Sequence, residues 1–156
     1  MTRKGEEPEL IYKEESYAIV GACMVVYKDK GCGFLEPVYH ECLAIELEFR
    51  GIPFLSKPPQ TLQYRGRTLF QTFSPDFLCY EKIILEIKAV SSLVDEHRAQ
   101  ILNYLSATNC ELGLLVNSVI IRDSNMSDFF GDTTNLSISS SEHFRIFRVF
   151  RGQRTL

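Results

Sequence analysis

No tryptophan is present, no Cys-x-x-Cys pair occurs, and no apolar run approaches the length of a membrane span. Each absence removes a class of protein. Without about 20 consecutive apolar residues there is no candidate transmembrane helix. The N-terminal stretch is charged and Glu-rich, which argues against a secretory leader. Cys23, Cys32, Cys42, Cys79 and Cys110 are odd in number and widely spaced, which suits neither a disulfide framework nor a paired zinc site. Most stand in apolar runs, so a reduced, intracellular protein of cytoplasm or nucleus is expected. A charge excess is lacking too: 17 Lys and Arg against 20 Asp and Glu leave a net charge of −3, no basis for general nucleic-acid affinity. Contact with phosphates would have to come from a local patch or a metal ion.

What is there fits one soluble domain over 1–156, since 156 residues at 45% hydrophobic content can bury a core without staples. From Leu10 to Lys28, Tyr17, Val20, Met24 and Tyr27 recur at helical spacing, and Gly31 and Gly33 stop that helix. Glu36-Pro37 opens a second helix that reaches Arg50 and ends at Gly51. Val38, Cys42, Ile45 and Phe49 form one stripe while Leu43 and Leu47 lie on another side, so cover on more than one face is expected. Pro53 to Pro59 reads as a connector; Thr61–Tyr64 and Thr68–Phe73 read as strands around Arg65-Gly66-Arg67. Asp95 to about Thr108 reads as a third helix, Leu112–Val116 as a buried strand and Phe144–Phe150 as a late strand. The Ser-, Asn-, Asp- and Thr-rich segment 118–141 is expected to be a loop insert. The order implies an α/β (α+β) arrangement on a mixed sheet.

The segment Phe73 to Val90 carries the chemistry. Two apolar runs flank Glu81-Lys82, so it reads as a β-hairpin. Side chains alternate along a strand, which puts Ile84, Glu86 and Lys88 on one face and Ile83, Leu85, Ile87 and Ala89 on the other. Glu-x-Lys on a strand is ordinarily a salt bridge on a polar face. Here both faces are otherwise apolar, and ionised groups in such surroundings are costly unless paired or metal-bound. Asp76 lies ten residues before Glu86. The two can oppose each other on one face only if the loop holds an odd number of residues or a bulge intervenes at Pro75-Asp76. A three-residue loop meets that condition; a two-residue turn at Glu81-Lys82 does not.

Further polar groups can join this face. His97, Gln100 and Tyr104 fall within roughly a 60° arc of the third helix, beside Ile101. Glu36 stands at a helix start, where a carboxylate is also ordinary compensation of the dipole. Clustered carboxylates repel unless a cation intervenes, and oxygen-only ligands select Mg²⁺ or Mn²⁺ over zinc. His40-Glu41-Cys42 lacks the second pair a zinc site needs. Such an ion suits phosphodiester hydrolysis, with Lys88 orienting or deprotonating the water or stabilising the phosphorane. Arg65 and Arg67 at a hairpin tip could touch phosphates, although a solvated turn is the ordinary account of them.

Pro75-Asp76 followed by Glu86-x-Lys88 resembles the signature of the PD-(D/E)XK nuclease-like superfamily. Gly33-x-x-Glu36-x-x-Tyr39, with Cys42-Leu43 after it, resembles the motif of the GxxExxY family of small nuclease-like proteins. Gln100-x-x-x-Tyr104 is similar to the Gln-x-x-x-Tyr motif of exonuclease-like branches. The likeness covers about Tyr17 to Asn117. It implies a restriction-endonuclease-like core with a central mixed sheet flanked by helices. It also implies metal ligands at Asp76, Glu86 and Glu36, a catalytic lysine at Lys88 and a positioning group at Gln100, with Tyr104 and His97 near the substrate. The activity implied is that of an Mg²⁺- or Mn²⁺-dependent nuclease acting on DNA in preference to RNA. The competing readings are a nuclease-fold protein that binds nucleic acid without cutting it, and an interaction scaffold. Homodimerisation would suit an enzyme that cuts two strands, and no residue marks an interface.

Overall fold

A computed structural model describes residues 11–31, 33–90 and 94–118 together with the backbone of a strand at Phe144–Phe150. The expected insert lies outside the described residues, apart from Ser118, which ends a strand. Helix α1, Lys13–Lys30, carries Glu14 and Glu15 in its first turn and Lys28 and Lys30 in its last, the charge order its dipole favours. It buries Ile19, Val20, Cys23, Met24, Val26 and Tyr27, whereas Tyr17, in helical register with Val20 and Met24, stands 47% exposed.

Helix α2, Glu36–Phe49, begins with proline in its first turn, as its sequence predicts. It buries Tyr39, Leu43 and Leu47. Of the faces expected to need cover, the side of Leu43 and Leu47 is the inner one, and the other stripe is largely exposed, with Ile45 at 62% and Phe49 at 85%. Both stripes have helical spacing, so periodicity alone does not choose between them. Tyr39 decides the matter: its hydroxyl donates to the Gly31 carbonyl and its ring packs 5.2 Å from that of Tyr27.

The expected connector contains a short strand, β1 (Phe54–Ser56). Strands β2 (Gln60–Tyr64) and β3 (Arg67–Phe73) pair as a separate antiparallel hairpin. Its turn is the two-residue Arg65-Gly66, with Arg67 already in the strand; both turn residues have positive φ, 49° and 74°. That combination matches the twist of a tight hairpin. The main sheet holds β1, β4 (Phe77–Cys79), β5 (Ile83–Lys88), β6 (Leu112–Ser118) and β7 (Phe144–Phe150), in the order β1-β4-β5-β6-β7. β5 and β6 are parallel and the other neighbours antiparallel. A parallel pair needs a crossover, and helix α3, Asp95–Ala107, supplies it.

Each face of this sheet has its own cover. Phe77, Cys79, Ile83, Leu85, Ile87, Leu112, Leu114 and Val116 pack with α1 and α2. Ile84 and Leu115 pack with Ile101 and Leu105 of α3. Cys23 and Cys79 belong to the first cluster; burial pushes the Cys23 thiol far up and that of Cys79 up to about 12. Both are inert core groups rather than nucleophiles. Among the described residues no helix is long and apolar enough to cross a membrane.

Candidate active site

The β4–β5 connection settles the parity question. Cys79 pairs with Ile83, leaving the three-residue loop Tyr80-Glu81-Lys82 rather than a tight turn at Glu81-Lys82. Tyr80 and Glu81 both take positive φ, and the Lys82 amide bonds to the Cys79 carbonyl at 3.1 Å. The Lys82 ammonium meets Glu15 of α1 at 2.9 Å and lies 4.3 Å from the Tyr12 ring, which ties the loop to α1. With Phe77 opposite Leu85 and Leu78 opposite Ile84, one more step of the register sets Asp76 opposite Glu86. Both then share the face that carries Leu78 and Ile84, the α3 face.

Each acid takes a main-chain amide of the opposite strand edge. The Asp76 amide donates to Glu86 Oε1 at 2.9 Å, and Asp76 Oδ2 accepts from the Ile87 amide at 2.8 Å. Glu86 is 4% exposed on a strand whose first five residues are buried. Burial pushes its carboxyl up and the charge of Asp76 pushes it further; the Asp76 amide and the Lys88 ammonium pull it partly back, and it settles at about 8. Lys88, two residues along the same face, is half-buried and its charge reaches Glu86.

Two residues that the motifs did not assign to this site hold its edge in place. His40, half-buried on α2, bonds through Nε2 to the Asp76 carbonyl at 3.1 Å, and its ring stacks on Phe77 with centroids 4.2 Å apart. A carbonyl only accepts, so Nε2 carries the proton. Its sequence signal was present but ambiguous: His40 lies one turn after Glu36 on the same stripe. Asn117, 4% exposed at the end of β6, accepts from the Val90 amide at 3.1 Å and donates to the Val90 carbonyl at 2.9 Å. A polar residue closing an apolar run was its only sequence sign.

The α3 groups divide. Gln100 Nε2 donates to the Tyr104 hydroxyl at 2.8 Å, and the Tyr104 ring stacks on Phe73 with centroids 4.6 Å apart and planes 12° from parallel. Burial first, then the charges of Glu86 and Asp76, raise the Tyr104 phenol, while the Gln100 bond opposes them. Tyr104 therefore lies within electrostatic reach of both acids. His97 turns to its own helix end, its Nδ1 accepting from the Val94 amide at 3.1 Å. Glu36 is exposed in the first turn of α2. Among the described residues no group of three or more His, Cys, Asp or Glu side chains gathers to hold a metal ion, so Glu36 does not join the acid pair in such a group.

The Gly33-x-x-Glu36-x-x-Tyr39 spacing also has a mechanical account. Gly33 sits at φ +105°, open to glycine and strained for other residues. Tyr39, fully buried, fastens the α1–α2 loop through Gly31 and packs near Phe34. Between these two anchors, Glu36 is presented at the start of α2.

A mixed sheet covered by helices on both faces, with two acids opposed across β4 and β5 and a lysine beside them, defines a restriction-endonuclease-like fold. The family model of the PD-(D/E)XK nuclease superfamily matches residues 13–126, well over half of the chain. The chain belongs to that superfamily. No curated protein and no solved structure matches it.

Proposed function

We propose that this chain hydrolyses phosphodiester bonds with the help of Mg²⁺ or Mn²⁺ held by Asp76 and Glu86, and that it belongs to the GxxExxY branch of its superfamily. The observation that carries the reading is the opposition of Asp76 and Glu86 with Lys88 next on the same face. The donor set fits a hard dication: both ligating groups are carboxylates, and one is driven to about 8 by burial and its neighbour's charge. Asp76 and Glu86 would hold such an ion, which would offset their charge and supply Lewis acidity toward a phosphate oxygen.

The chain's own residues supply the rest. Lys88 stabilises the negative charge that grows on the phosphate and orients the attacking water. Its place beside Glu86 keeps that positive charge near the acids. The stack of Tyr104 on Phe73 and the bond from Gln100 fix the α3 wall of the site. His40 holds the backbone at Asp76, and Glu36, one turn earlier on α2, is assigned the part of an outer acid rather than of a direct ligand. DNA is proposed ahead of RNA on the likeness to restriction-endonuclease-like enzymes.

The test is incubation of the full chain with linear duplex DNA, single-stranded DNA and RNA in Mg²⁺, Mn²⁺ or EDTA, beside a Lys88→Ala variant. Cleavage that needs a dication and falls by about 10²-fold or more in the variant is expected, the scale of losing one transition-state donor. Cleavage that survives the substitution rejects the assignment. Binding without cleavage in either metal favours the non-cutting nuclease-fold reading.

A further inference from the structure

A cleft of about 770 Å³ opens between the β2–β3 hairpin and α3, lined among others by Thr61, Gln63, Phe73, Asn103, Tyr104 and Ser106. Two of its lining residues, Tyr104 and Phe73, link it to the acid pair. Tyr104 feels the charges of Glu86 and Asp76. Phe73 ends β3 three residues before Asp76, a span of at most about 10 Å of extended chain.

We propose that this cleft receives an unpaired nucleobase of the strand whose phosphate is held at Asp76 and Glu86. The proposal rests on the nuclease reading of that pair and adds to it the form of the substrate. The chemistry of the lining argues for a base. Among the described residues no charged side chain lines the cleft, which suits a base better than a phosphate, a group that calls for Lys, Arg or a metal. It offers two aromatic rings already stacked parallel, Phe73 and Tyr104, which a base face can extend. It also offers two carboxamides, Gln63 and Asn103, each donating and accepting, and the hydroxyls of Thr61 and Ser106. A paired base has its Watson–Crick edge occupied and both faces stacked in the helix. Only an unstacked one, in a single strand or turned out of a duplex, can enter. Arg65 and Arg67, exposed at the far end of the same hairpin, stand where a strand leaving the cleft along β2–β3 would present its phosphates.

The test measures binding apart from cleavage. Fluorescence anisotropy in EDTA follows the full chain with a short mixed-sequence single-stranded DNA, the corresponding RNA, the duplex, and a DNA strand carrying abasic residues in place of bases. Three proteins are compared: wild type, Ser106→Trp to fill the cleft, and Gln63→Ala with Asn103→Ala to remove its amides. All three positions are exposed, and thermal melting checks that the variants fold. Wild type is expected to bind the base-bearing single strand about tenfold tighter than the abasic one, and both variants to lose about that factor. The DNA and RNA arms report which sugar the strand carries. Equal binding of base-bearing and abasic strands overturns the proposal, as do folded variants that bind like wild type. Absence of binding to every oligonucleotide overturns the cleft proposal, while the nuclease reading stands or falls separately on cleavage in Mg²⁺ or Mn²⁺. Base-dependent binding by a protein that cuts nothing upholds the cleft and removes only the hydrolysis.

Discussion

Asp76 and Glu86 are tied across the hairpin through main-chain amides: the amide of Asp76 donates to the Glu86 carboxylate, and the Asp76 carboxylate takes the amide of Ile87, the residue after Glu86. The acids of the site are thus also fasteners of the β4–β5 edge. Substitutions there act on stability and on chemistry by separable routes.

At Asp76 the two routes part by choice of replacement. Asparagine retains an oxygen able to accept from the Ile87 amide, whereas alanine leaves that N–H without it, at about 1–3 kcal/mol. Asp76→Asn is expected to melt close to wild type and Asp76→Ala well below it. Both should fail in the cleavage assay, because neither keeps a charged ligand. An active Asp76→Asn protein would rule out Asp76 as a ligand.

Glu86 gives a pH dependence with a defined sign. Its carboxyl titrates at about 8 in the folded protein against an ordinary 4.5. Between those values the folded state keeps a proton that the unfolded state has lost, so stability falls as pH rises through the interval. Thermal melting of metal-free protein should show this decline, and Glu86→Gln should flatten it. Because an ion competes with that proton, the gain in melting temperature from added Mg²⁺ or Mn²⁺ should grow as pH approaches 8. A metal effect that shrinks toward alkaline pH would count against ligation by Glu86.

His40 contributes a stacked ring and one hydrogen bond to the site's backbone. His40→Phe keeps a ring against Phe77 and loses the bond to Asp76, which the Lys57 amide also reaches at 2.9 Å. A stability loss of about 1 kcal/mol is expected, read by chemical denaturation. The cleavage rate should drop several-fold while the dependence on metal concentration shifts little.

Gly113 controls how closely α3 approaches the sheet. A Cβ there would come within 2.6 Å of Ile101 Cδ1 and 2.8 Å of its Cγ1. Gly113→Ala is expected to cost about 1–3 kcal/mol by overpacking and to disturb Gln100 and Tyr104 on the same helix. Adding Ile101→Val, which removes the atom in nearest conflict, should recover part of the loss in a double-mutant cycle.

Much of this was legible because local pattern and chemistry agreed. Proline in the first turn of α2 and the alternation of Ile83 to Lys88 follow from rules acting within a few residues. The stripe of α2 that faces inward was not legible, since two apolar stripes compete and the winner is set by what Tyr39 touches in the preceding loop and helix. The place of His40 was hidden for a similar reason: its partner, the Asp76 carbonyl, lies 36 residues away in sequence.

By itself the sequence determined the identity and order of the reactive groups, their facing along β5, and the periodic segments that become helices and strands. Tertiary structure alone decided whether Asp76 meets Glu86, because that rests on the length of one loop. Three residues in the β4–β5 connection set the acids opposite each other, whereas two would have turned one of them away from α3. It likewise decided that the β2–β3 hairpin stands apart from the main sheet and leaves a cleft against α3. Register and packing between distant segments are collective outcomes, and no single stretch of chain encodes them.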